Sequence, residues 1–445
     1  MFENLLGQDA AGQIKNDIEG RRLAPAMLFF GPSASGKGTA ALELARALSC
    51  EKKAAWDCDC PSCARHRYLL HPDLLCLGKR SFSAEISAAR AAFLRERSSS
   101  AALTLFIRSL RKLLLRFSPV IAEDDPKLGK LSPLALSIDE EMNELEGDGS
   151  SSAEFEKITG SLLKNALKLE AEGIGEFIPI GYIRRAAYWS RLAPQGKRKV
   201  LVVENADRMQ EGARNSLLKI LEEPPPALTI ILTTANKAAI LPTIQSRLRP
   251  YRFLKRESAV EAEVIRRVFR AVPPESGGGE NGLINAYLDS FLPVSGDRLY
   301  PLAAFFISSL ARVIALDIKK QGPLPNELIA LGKYTAPIAG GAGFGKSETT
   351  KEILSTVLGE MENFEGRAFK RFLAALLSLV SKAARARQTV TTGAANPGGI
   401  AYNEIWRSCI NEAAQAEGVW NQNPALALER LFSGLRQAMG EAGRS

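Results

Sequence analysis

The sequence has little of several features that would point to common functions. Its 445 residues include two histidines, His66 and His71, so we expect no catalytic triad or other histidine-based mechanism. No run of eighteen apolar residues occurs, and the nearest one, residues 300–316, contains two serines and Arg312, which favours a buried helix over a membrane span. The first residues lack a basic segment followed by an apolar one. We therefore expect no secretory signal, a cytoplasmic location and no membrane partner.

Charge and length set broad limits. The chain has 58 Lys and Arg against 49 Asp and Glu, a formal net charge of +9. This excess permits a nucleic acid or another acidic partner without requiring one. The length predicts about two to four domains.

Apolar runs in the first half of the chain predict an α/β fold. Continuous runs at residues 26–30, 200–203 and 228–234 are typical of strands buried on both faces of a parallel sheet, and helical patterns separate them. Beyond about residue 255 only helical patterns follow. The α/β half is interrupted at about residues 81–175 by an apparent insertion.

The insertion combines two patterns. A basic amphipathic helix has one apolar face, formed by Leu103, Phe106, Ile107, Leu110, Leu114 and Phe117. Arg108, Arg111 and Lys112 lie elsewhere on this helix, which suggests a contact with DNA or another subunit, or else a local helical bulge. The acidic, serine-rich stretch at 139–157 is expected to be flexible.

A glycine-rich segment, GPSASGKGT from Gly31, follows the apolar run MLFF and precedes a helical pattern. This order is the context of a phosphate-binding P-loop, in which Gly31 and Gly36 free the backbone and Lys37 supplies a positive charge. The next residue is usually Ser or Thr, whose hydroxyl ligates Mg²⁺, but here it is Gly38. Thr39 lies about 100° further round the helix, so its oxygen points elsewhere. The segment predicts a P-loop fold with ATP or ADP binding left open, against the alternative of a plain glycine turn.

The strand at 200–203 is followed by Glu204, Asn205, Ala206 and Asp207, where hydrolytic AAA+ enzymes usually have Asp-Glu-Ala-Asp. Glu204 can still reach a metal, although its extra methylene displaces the carboxylate. Asn205 cannot act as a general base, because an amide does not accept a proton near neutral pH. Two changes at one reaction centre, Gly38 and Asn205, predict that the chain does not hydrolyse ATP at a useful rate.

Four of the six cysteines lie close together in the sequence: Cys50, Cys58, Cys60 and Cys63. In a reducing compartment such a cluster indicates a metal site, and four thiolates suit tetrahedral, structural Zn²⁺ with no open position for a substrate. The Cys58-x-Cys60 spacing is tight, so Asp57, His66 or Cys76 remain alternative ligands.

Two further segments are candidates for phosphate-related sites. Arg247, in the loop PTIQSRLRPYRF, is displayed where an arginine can reach a γ-phosphate on a neighbouring subunit, although most surface arginines have no such role. The segment GGAGFGKS at 340–347 matches the P-loop spacing well but follows no buried strand. We interpret it as a glycine loop between helices.

These segments occur in an order that resembles a known family. The order is LLGQDAAGQIKNDIEGRRLAPAMLFFGP, the P-loop, the cysteine cluster with HPD after it, KRKVLVVENADRM, NSLLKILEEPPP, ILTTAN and LPTIQSRLRPYRF. It resembles the bacterial clamp-loader AAA+ subunits of DNA polymerase III, the delta-prime type more than the gamma/tau motor type. The resemblance covers about residues 1–80 and 176–255, and the LLKxLEEPP and SR segments are its most specific part.

The resemblance implies a domain plan. A AAA+ P-loop module with a parallel sheet would span 1–255, with a zinc loop at 50–63 and the insertion at about 81–175. A small helical lid would span 256–302, and an all-helical collar that assembles a ring would span 303–445. The insertion is not part of the family's usual pattern.

The resemblance also assigns roles to single residues. Ser246 and Arg247 match the arginine-finger motif, with Leu248 in place of a cysteine, so Arg247 would act in trans on ATP bound by the adjacent motor subunit. Thr234 matches the sensor beside the γ-phosphate, and Arg298 matches the second sensor. The cysteine spacing x7-x1-x2 departs from the family's usual x8-x2-x2.

Together these implications predict a non-hydrolysing, delta-prime-like ring member. Its partners would be the gamma/tau motor and delta subunits, the sliding clamp and, through the complex, primer-template DNA. The alternatives are a hydrolysing gamma/tau-like motor subunit and a stand-alone P-loop nucleotide-binding protein.

Overall fold

The structure is a computed structural model, and its chain divides into two compact units, Met1–Leu292 and Pro293–Ser445. The residues that it describes are 1–122, 125–145, 152–175, 177–274, 282–291, 296–318, 326–362, 368–388, 397–418 and 423–442.

The first unit contains a five-stranded parallel sheet in the order β2-β3-β4-β1-β5. The strands are β1 (Ala26–Phe30), β2 (Leu74–Leu77), β3 (Lys199–Val203), β4 (Leu228–Thr234) and β5 (Arg249–Arg252). All residues of β2, β3 and β4 are buried, because helices cover both faces of the sheet. The α/β class predicted from the apolar runs is confirmed. The apolar runs did not predict strands β2 and β5. Strand β2 is very short, and β5 is a polar strand at the edge of the sheet.

The first unit contains thirteen α-helices among its described residues. In chain order they are α1 (Asp9–Glu19), α2 (Lys37–Ser49), α3 (Pro61–Arg67), α4 (Ser83–Arg95), α5 (Ser100–Leu114), α6 (Pro119–Ala122), α7 (Pro126–Leu145), α8 (Ser152–Gly173), α9 (Ile180–Arg191), α10 (Glu211–Glu222), α11 (Pro242–Gln245), α12 (Ser258–Phe269) and α13 (Leu283–Asp289). All but α12 and α13, which pack against α4, belong to or adjoin the layers around the sheet. Successive side chains of β1 enter different cores: Met27 and Phe29 pack with α1 and α2, whereas Leu28 joins the core of α4 to α10.

The parallel direction of the strands brings three loops to one edge of the sheet. The loops after Phe30, Val203 and Thr234 all leave from the carboxyl ends of paired strands. The P-loop segment therefore lies beside the residues that follow β3, as in other open parallel sheets that bind ligands at this edge.

The insertion is a helical layer on the sheet. Phe93, Phe106, Ile138 and Leu162, from α4, α5, α7 and α8, are fully buried in the same core as Leu201 of β3. This arrangement favours the local helical interpretation of the segment, because its apolar face is covered within the chain.

One expectation for the insertion is wrong in part. The acidic, serine-rich stretch at 139–157 is not a flexible segment over most of its length, since α7 continues to Leu145 and α8 begins at Ser152. Apolar side chains at helical spacing, such as Ile138 and Met142, are fully buried and outweigh the polar composition. Residues 146–151 lie outside the described residues.

The second unit is helical throughout its described residues. Its helices are α14 (Gly296–Ile318), α15 (Asn326–Gly341), α16 (Thr350–Glu362), α17 (Ala368–Gln388), α18 (Pro397–Gly418) and α19 (Pro424–Ala442). Residues 298–317 of α14 are long and apolar enough to cross a membrane by length and composition, but 72% of the most apolar stretch is buried inside the protein. This burial agrees with the buried helix predicted for residues 300–316.

The expected border between lid and collar, at 302/303, falls inside α14, which runs on through Pro301. The two compact units meet at Leu292 and Pro293, and α12 and α13 belong to the first of them. The division into module, lid and collar stays a prediction. The second P-loop-like segment, 340–347, begins in the last turn of α15, continues towards α16 and follows a helix, not a strand.

Gly78 lies in the loop between β2 and α4, where the backbone passes close to the end of β3. Its φ is 100°, and a Cβ there would overlap the carbonyl oxygen of Glu204. We expect Gly78→Ala to lower the free energy of unfolding by about 2–3 kcal/mol, measured by urea unfolding followed by circular dichroism. Gly12→Ala, at an exposed helix position with open space around it, should instead raise stability by up to about 1 kcal/mol. Equal effects of the two substitutions would contradict this account.

Candidate functional site

The P-loop segment leads from β1 into α2, as the sequence predicts. Gly31 and Gly36 have φ angles of 149° and 94°, and a Cβ on Gly31 would overlap the carbonyl oxygen of Phe253. Arg256, which is 9% exposed, donates a hydrogen bond of 2.6 Å to the carbonyl oxygen of Ala34 in the loop. The loop is therefore held in shape by contacts within the chain.

The lysine of the loop binds the loop itself. The Lys37 ammonium donates hydrogen bonds to the carbonyl oxygens of Gly31 (2.7 Å) and Pro32 (2.5 Å). Burial lowers the pKa of Lys37 to about 8, although the negative charges of Glu204 and Asp207 oppose this shift. The positive charge that would face a phosphate is thus engaged with backbone oxygens.

Gly38, where a metal-binding hydroxyl would be expected, faces the carboxylate of Glu204. A Cβ on Gly38 would lie only 2.6 Å from Oε1 of Glu204. Glu204 is 8% exposed and forms ion pairs with Arg116 and, at 3.6 Å, with Arg80. Thr39 is exposed on α2. The structure brings Gly38 and Glu204 together, but with two guanidinium groups already bound to the carboxylate.

These cations keep Glu204 ionised. Burial by itself would raise the pKa of Glu204, but Arg116, Arg80 and Lys112 together lower it below its ordinary value. A buried carboxylate that is paired in this way has little capacity left for a divalent metal.

Asn205 and Thr234 also have partners within the chain. Asn205, at a left-handed φ of 49°, donates from Nδ2 to the carbonyl oxygen of Lys79 (2.6 Å). Its amide therefore ties the loop after β2 to the end of β3. The fully buried Thr234 donates its hydroxyl to Oδ1 of Asp207 (2.6 Å). The sensor role of Thr234 stays a prediction.

Arg247 lies at the protein surface between α11 and β5. Its guanidinium donates to Oε1 of Glu222 (2.8 Å) and to the carbonyl oxygen of Thr243 (2.8 Å). Leu248, where the family has a cysteine, is 6% exposed and anchors the loop in the core. The arginine is thus presented on a fixed loop and held by an exposed carboxylate.

Arg298 lies in the second unit, on α14. It donates two hydrogen bonds to the carboxylate of Glu360, at 2.8 and 2.7 Å, and its guanidinium carbon lies 5.8 Å from the ring centre of Phe344. All these partners belong to the second unit, and the second-sensor role of Arg298 stays a prediction.

The four clustered cysteines converge, as predicted from their spacing. Their sulfur atoms lie within 4.8 Å of one another: Cys50, Cys58, Cys60 and Cys63. The Sγ atoms of Cys50 and Cys58 are 3.6 Å apart, and those of Cys50 and Cys60 are 3.9 Å apart. Tetrahedral Zn²⁺ with Zn–S bonds of about 2.3 Å would separate the sulfurs by about 3.8 Å. The residues present therefore fit a structural zinc ion.

Backbone and side-chain donors reach the sulfurs of this cluster, and they favour the thiolate form at Cys60, whereas burial raises the pKa of Cys63. The N–H of Ala54 donates to Sγ of Cys50 (3.2 Å), and Nη1 of Arg46 donates to Sγ of Cys63 (3.0 Å). Burial would raise the pKa of Cys60, but backbone N–H donors outweigh it and lower the pKa to about 6. Hydrogen bonds to coordinating sulfurs are typical of metal sites, because they stabilise the negative charge of the ligands.

Arg46 connects the cysteine cluster to the P-loop helix α2. Its Nε and Nη2 bind both oxygens of Glu43 (2.9 and 2.7 Å), and its remaining bonds go to the carbonyl oxygens of Ala54 and Ala55 and to Cys63. Arg46 is 3% exposed and fully engaged, so this network fixes the cluster against α2.

The alternative ligands lie elsewhere. Asp57 is exposed, and Cys76 lies within β2. The His66 ring stacks on His71 at 4.2 Å between ring centres and is not part of the sulfur cluster. The four-cysteine set is therefore the one that the fold assembles.

The sequence did not identify four arginines that organise this region: Arg46, Arg80, Arg116 and Arg256. Arg116 is 88 residues from its partner Glu204, so no local pattern links the two. The basic residues of α5 gave the only hint, and they too point inward. Arg108 donates to the carbonyl oxygens of His66 (3.1 Å) and Arg67, and Arg111 to that of Tyr68 (3.2 Å).

Comparison with known proteins identifies the family. The family model described as DNA polymerase III, delta subunit, matches residues 7–107 and 137–257. The chain belongs to the clamp-loader AAA+ family of DNA polymerase III. The resemblance to the family drawn from the sequence motifs is confirmed, and the preference for the delta-prime type stays a prediction. The match omits residues 108–136, which lie within the insertion and include Arg116.

Curated relatives include both subunit types of this family. The DNA polymerase III subunit delta' of Haemophilus influenzae is 38% identical over 84 residues, which are 16% of this chain and 26% of that protein. The gamma/tau subunits of Mycobacterium bovis and Mycobacterium tuberculosis are 33% identical over 89 residues, 20% of this chain and 15% of theirs. The matched part thus spans about a quarter or less of these relatives.

A solved structure of a DNA polymerase III gamma subunit-related protein from Thermotoga maritima is 19% identical. It covers 60% of this chain and 81% of its own, with a TM-score of 0.26. The fold assignment rests on the parallel sheet described above and not on this likeness.

The crowding over Gly38 gives a direct test of the altered clamp-loader site. We expect Gly38→Thr to restore the hydroxyl of a typical P-loop and still yield no ATP hydrolysis. We also expect it to lower the free energy of unfolding by about 1–3 kcal/mol, because the new side chain meets the pinned carboxylate of Glu204. Gly12→Thr, in open space on α1, should change stability by less than about 0.5 kcal/mol. Steady ATP turnover by Gly38→Thr would contradict this account.

Proposed function

We propose that this chain is a non-hydrolysing, delta-prime-like subunit of the DNA polymerase III clamp loader. The observation that carries the proposal is the state of the nucleotide-site residues. Glu204 is neutralised by arginines, Asn205 bonds a backbone carbonyl, and Gly38 offers no oxygen. Magnesium-dependent hydrolysis needs a free carboxylate for the metal and a group that activates water, so these residues support a partner without turnover.

The positive part of the role is assigned to Arg247. Its loop is anchored by Leu248, and the guanidinium is exposed at the surface, held by Glu222. An exposed ion pair of this kind contributes about 0–1 kcal/mol, so a phosphate on a neighbouring subunit can replace the carboxylate at low cost. Arg247 then stabilises the charge that develops on ATP bound by the adjacent motor subunit.

The proposed partners follow from this role. They are the gamma/tau motor and delta subunits, with the sliding clamp and primer-template DNA engaged through the complex, in the cytoplasm. Zinc is the proposed structural metal of the cysteine cluster. ATP or ADP is not required by this chain, although the P-loop backbone is retained.

The second candidate function is a gamma/tau-like motor subunit, favoured by the 33% identity to gamma/tau relatives and by the retained Lys37. ATP turnover by the purified full chain separates the two. The delta-prime-like role predicts no turnover above background, and turnover equal to that of motor subunits would establish the motor role instead. A chain that stays monomeric with motor and delta subunits would support the stand-alone nucleotide-binding alternative.

The arginine-finger role is tested in the reconstituted complex. We expect Arg247→Ala to lower DNA-stimulated ATP hydrolysis by the motor subunits by about 10-fold or more, while the variant still co-purifies with them. Arg252→Ala removes another exposed arginine close by in the sequence and should leave the rate within about twofold. Equal rates for the Arg247→Ala and wild-type complexes would refute the role.

The zinc assignment predicts one zinc ion per purified chain, measured by elemental analysis. We expect Cys63→Ser to lose the metal and to lower the melting temperature by more than about 5 °C, because the site contributes folding free energy. Cys409→Ser, at the isolated cysteine of the second unit, should keep the zinc content of the wild type. A wild-type chain that folds normally without zinc would reject the assignment.

A further inference from the structure

Magnesium does not fit the residues at the carboxyl edge of this sheet. The carboxylate of Glu204 lies over Gly38, and both of its oxygens have arginine partners: Oε2 pairs with Arg116, and Oε1 lies 3.6 Å from Arg80. The same Nη1 of Arg80 lies 3.6 Å from the position that a Cβ on Gly38 would take. Two cations of the chain itself crowd the place where the P-loop pattern calls for a metal.

The two arginines are fixed there by a second layer of contacts. Nε of Arg116 donates to the carbonyl oxygen of Gly78 (3.1 Å), and Arg80 also pairs with Glu85. The ring of Phe82 lies against both guanidiniums, whose carbons are 5.1 Å (Arg80) and 5.3 Å (Arg116) from its centre. Cation–π contacts of this kind hold a guanidinium in one orientation when water is excluded.

The helix that delivers Arg116 is anchored along its carboxyl-terminal half, just before Arg116. Arg116 lies in the 3₁₀ turn Leu115–Phe117 that directly follows α5. Earlier on α5, Arg108 and Arg111 bind carbonyl oxygens at the end of α3, the helix that carries Cys63. Positive groups at a helix carboxyl end are stabilising, so α5 is docked firmly against the cysteine module.

We propose that Arg116, assisted by Arg80, is a built-in cation that takes the place of the divalent metal and keeps this site closed to it. The insertion then has a defined task, which is to supply this cation. Arg116 lies in the segment 108–136 that the family model does not match, so the device belongs to this chain and not to the general pattern of its family. The carboxylate of Glu204, buried at this edge, requires a positive partner in any folded state.

The proposal rests on the proposed lack of turnover, but its test reads metal binding and stability and not hydrolysis. In the wild-type full chain, we expect millimolar MgCl₂ to leave the melting temperature where an equal ionic strength of NaCl leaves it. We also expect Mn²⁺ titration followed by electron paramagnetic resonance to show no saturable site in this chain. These readings do not depend on Arg247 or on the other subunits, so a failure of the proposed clamp-loader role leaves them unchanged, and a failure of the metal proposal changes them alone.

Arg116→Ala is the decisive variant. Because the substitution leaves the buried carboxylate of Glu204 without its partner Arg116, we expect the melting temperature of the variant to fall by about 5–10 °C. MgCl₂ should then restore part of this loss, and one Mn²⁺ per chain should bind. Arg90→Ala, the matched control on α4 of the same insertion, removes an arginine that binds Thr159 and not Glu204, and it should gain no response to MgCl₂.

Two further variants keep the test decisive if Arg116→Ala folds poorly. Arg116→Lys retains a cation and should stay insensitive to MgCl₂. The double variant Arg116→Ala, Glu204→Gln removes both charges and should melt above Arg116→Ala alone, with no bound Mn²⁺. The proposal is overturned if the wild type binds Mn²⁺ at a saturable site. It is also overturned if adding Glu204→Gln to Arg116→Ala neither raises the melting temperature nor abolishes the response to metal.

Discussion

The ion pair between Glu204 and Arg116 is the interaction on which the rest of this site depends. A buried carboxylate is tolerated only when a positive group or several donors compensate for the lost water. Here the compensation comes from a helix 88 residues earlier in the chain. This ion pair determines the position of α5, the path of the loop at Gly78 and the contacts of Phe82. It also leaves the Glu204 carboxylate unable to bind a metal ion.

A similar solution stabilises the cysteine module. Arg46 is buried in α2 and distributes its hydrogen bonds among the carboxylate of Glu43, two carbonyl oxygens and the sulfur of Cys63. The P-loop helix thus serves as the base for the metal-binding loop. In a typical P-loop protein the N-terminus of this helix binds phosphate. In this chain the carboxyl end of α2 also has a binding role, because Arg46 in its last turn donates to the sulfur of Cys63.

Sequence patterns were sufficient where the chemistry is local. The apolar runs of β1, β3 and β4 indicated the sheet, the cysteine spacing indicated the cluster, and Gly38 with Asn205 indicated the altered nucleotide site. They were insufficient where partners are distant. Arg116 and Arg80 have no local sequence pattern that links them to Glu204. The acidic stretch before Ser152 has a polar composition that predicts flexibility, although its apolar residues fit a helix. Edge strand β5 has only Tyr251 buried, so it lacks the apolar run of a central strand. The amide of Asn205 was correctly excluded as a base, but its bond to Lys79 depends on a left-handed backbone that the sequence does not reveal.

The carboxyl-terminal half of helix α5 contacts the end of α3, and the 3₁₀ turn that follows it contacts the sheet edge. Because these contacts follow one another on one continuous helical segment, any loosening of α3 is transmitted directly to Arg116. Chemical damage to the thiols, such as oxidation by peroxide, would therefore be felt at Glu204 as well, and the two regions should lose their order together as one cooperative block. The redox state of four sulfurs would then govern the integrity of a phosphate loop that they never touch.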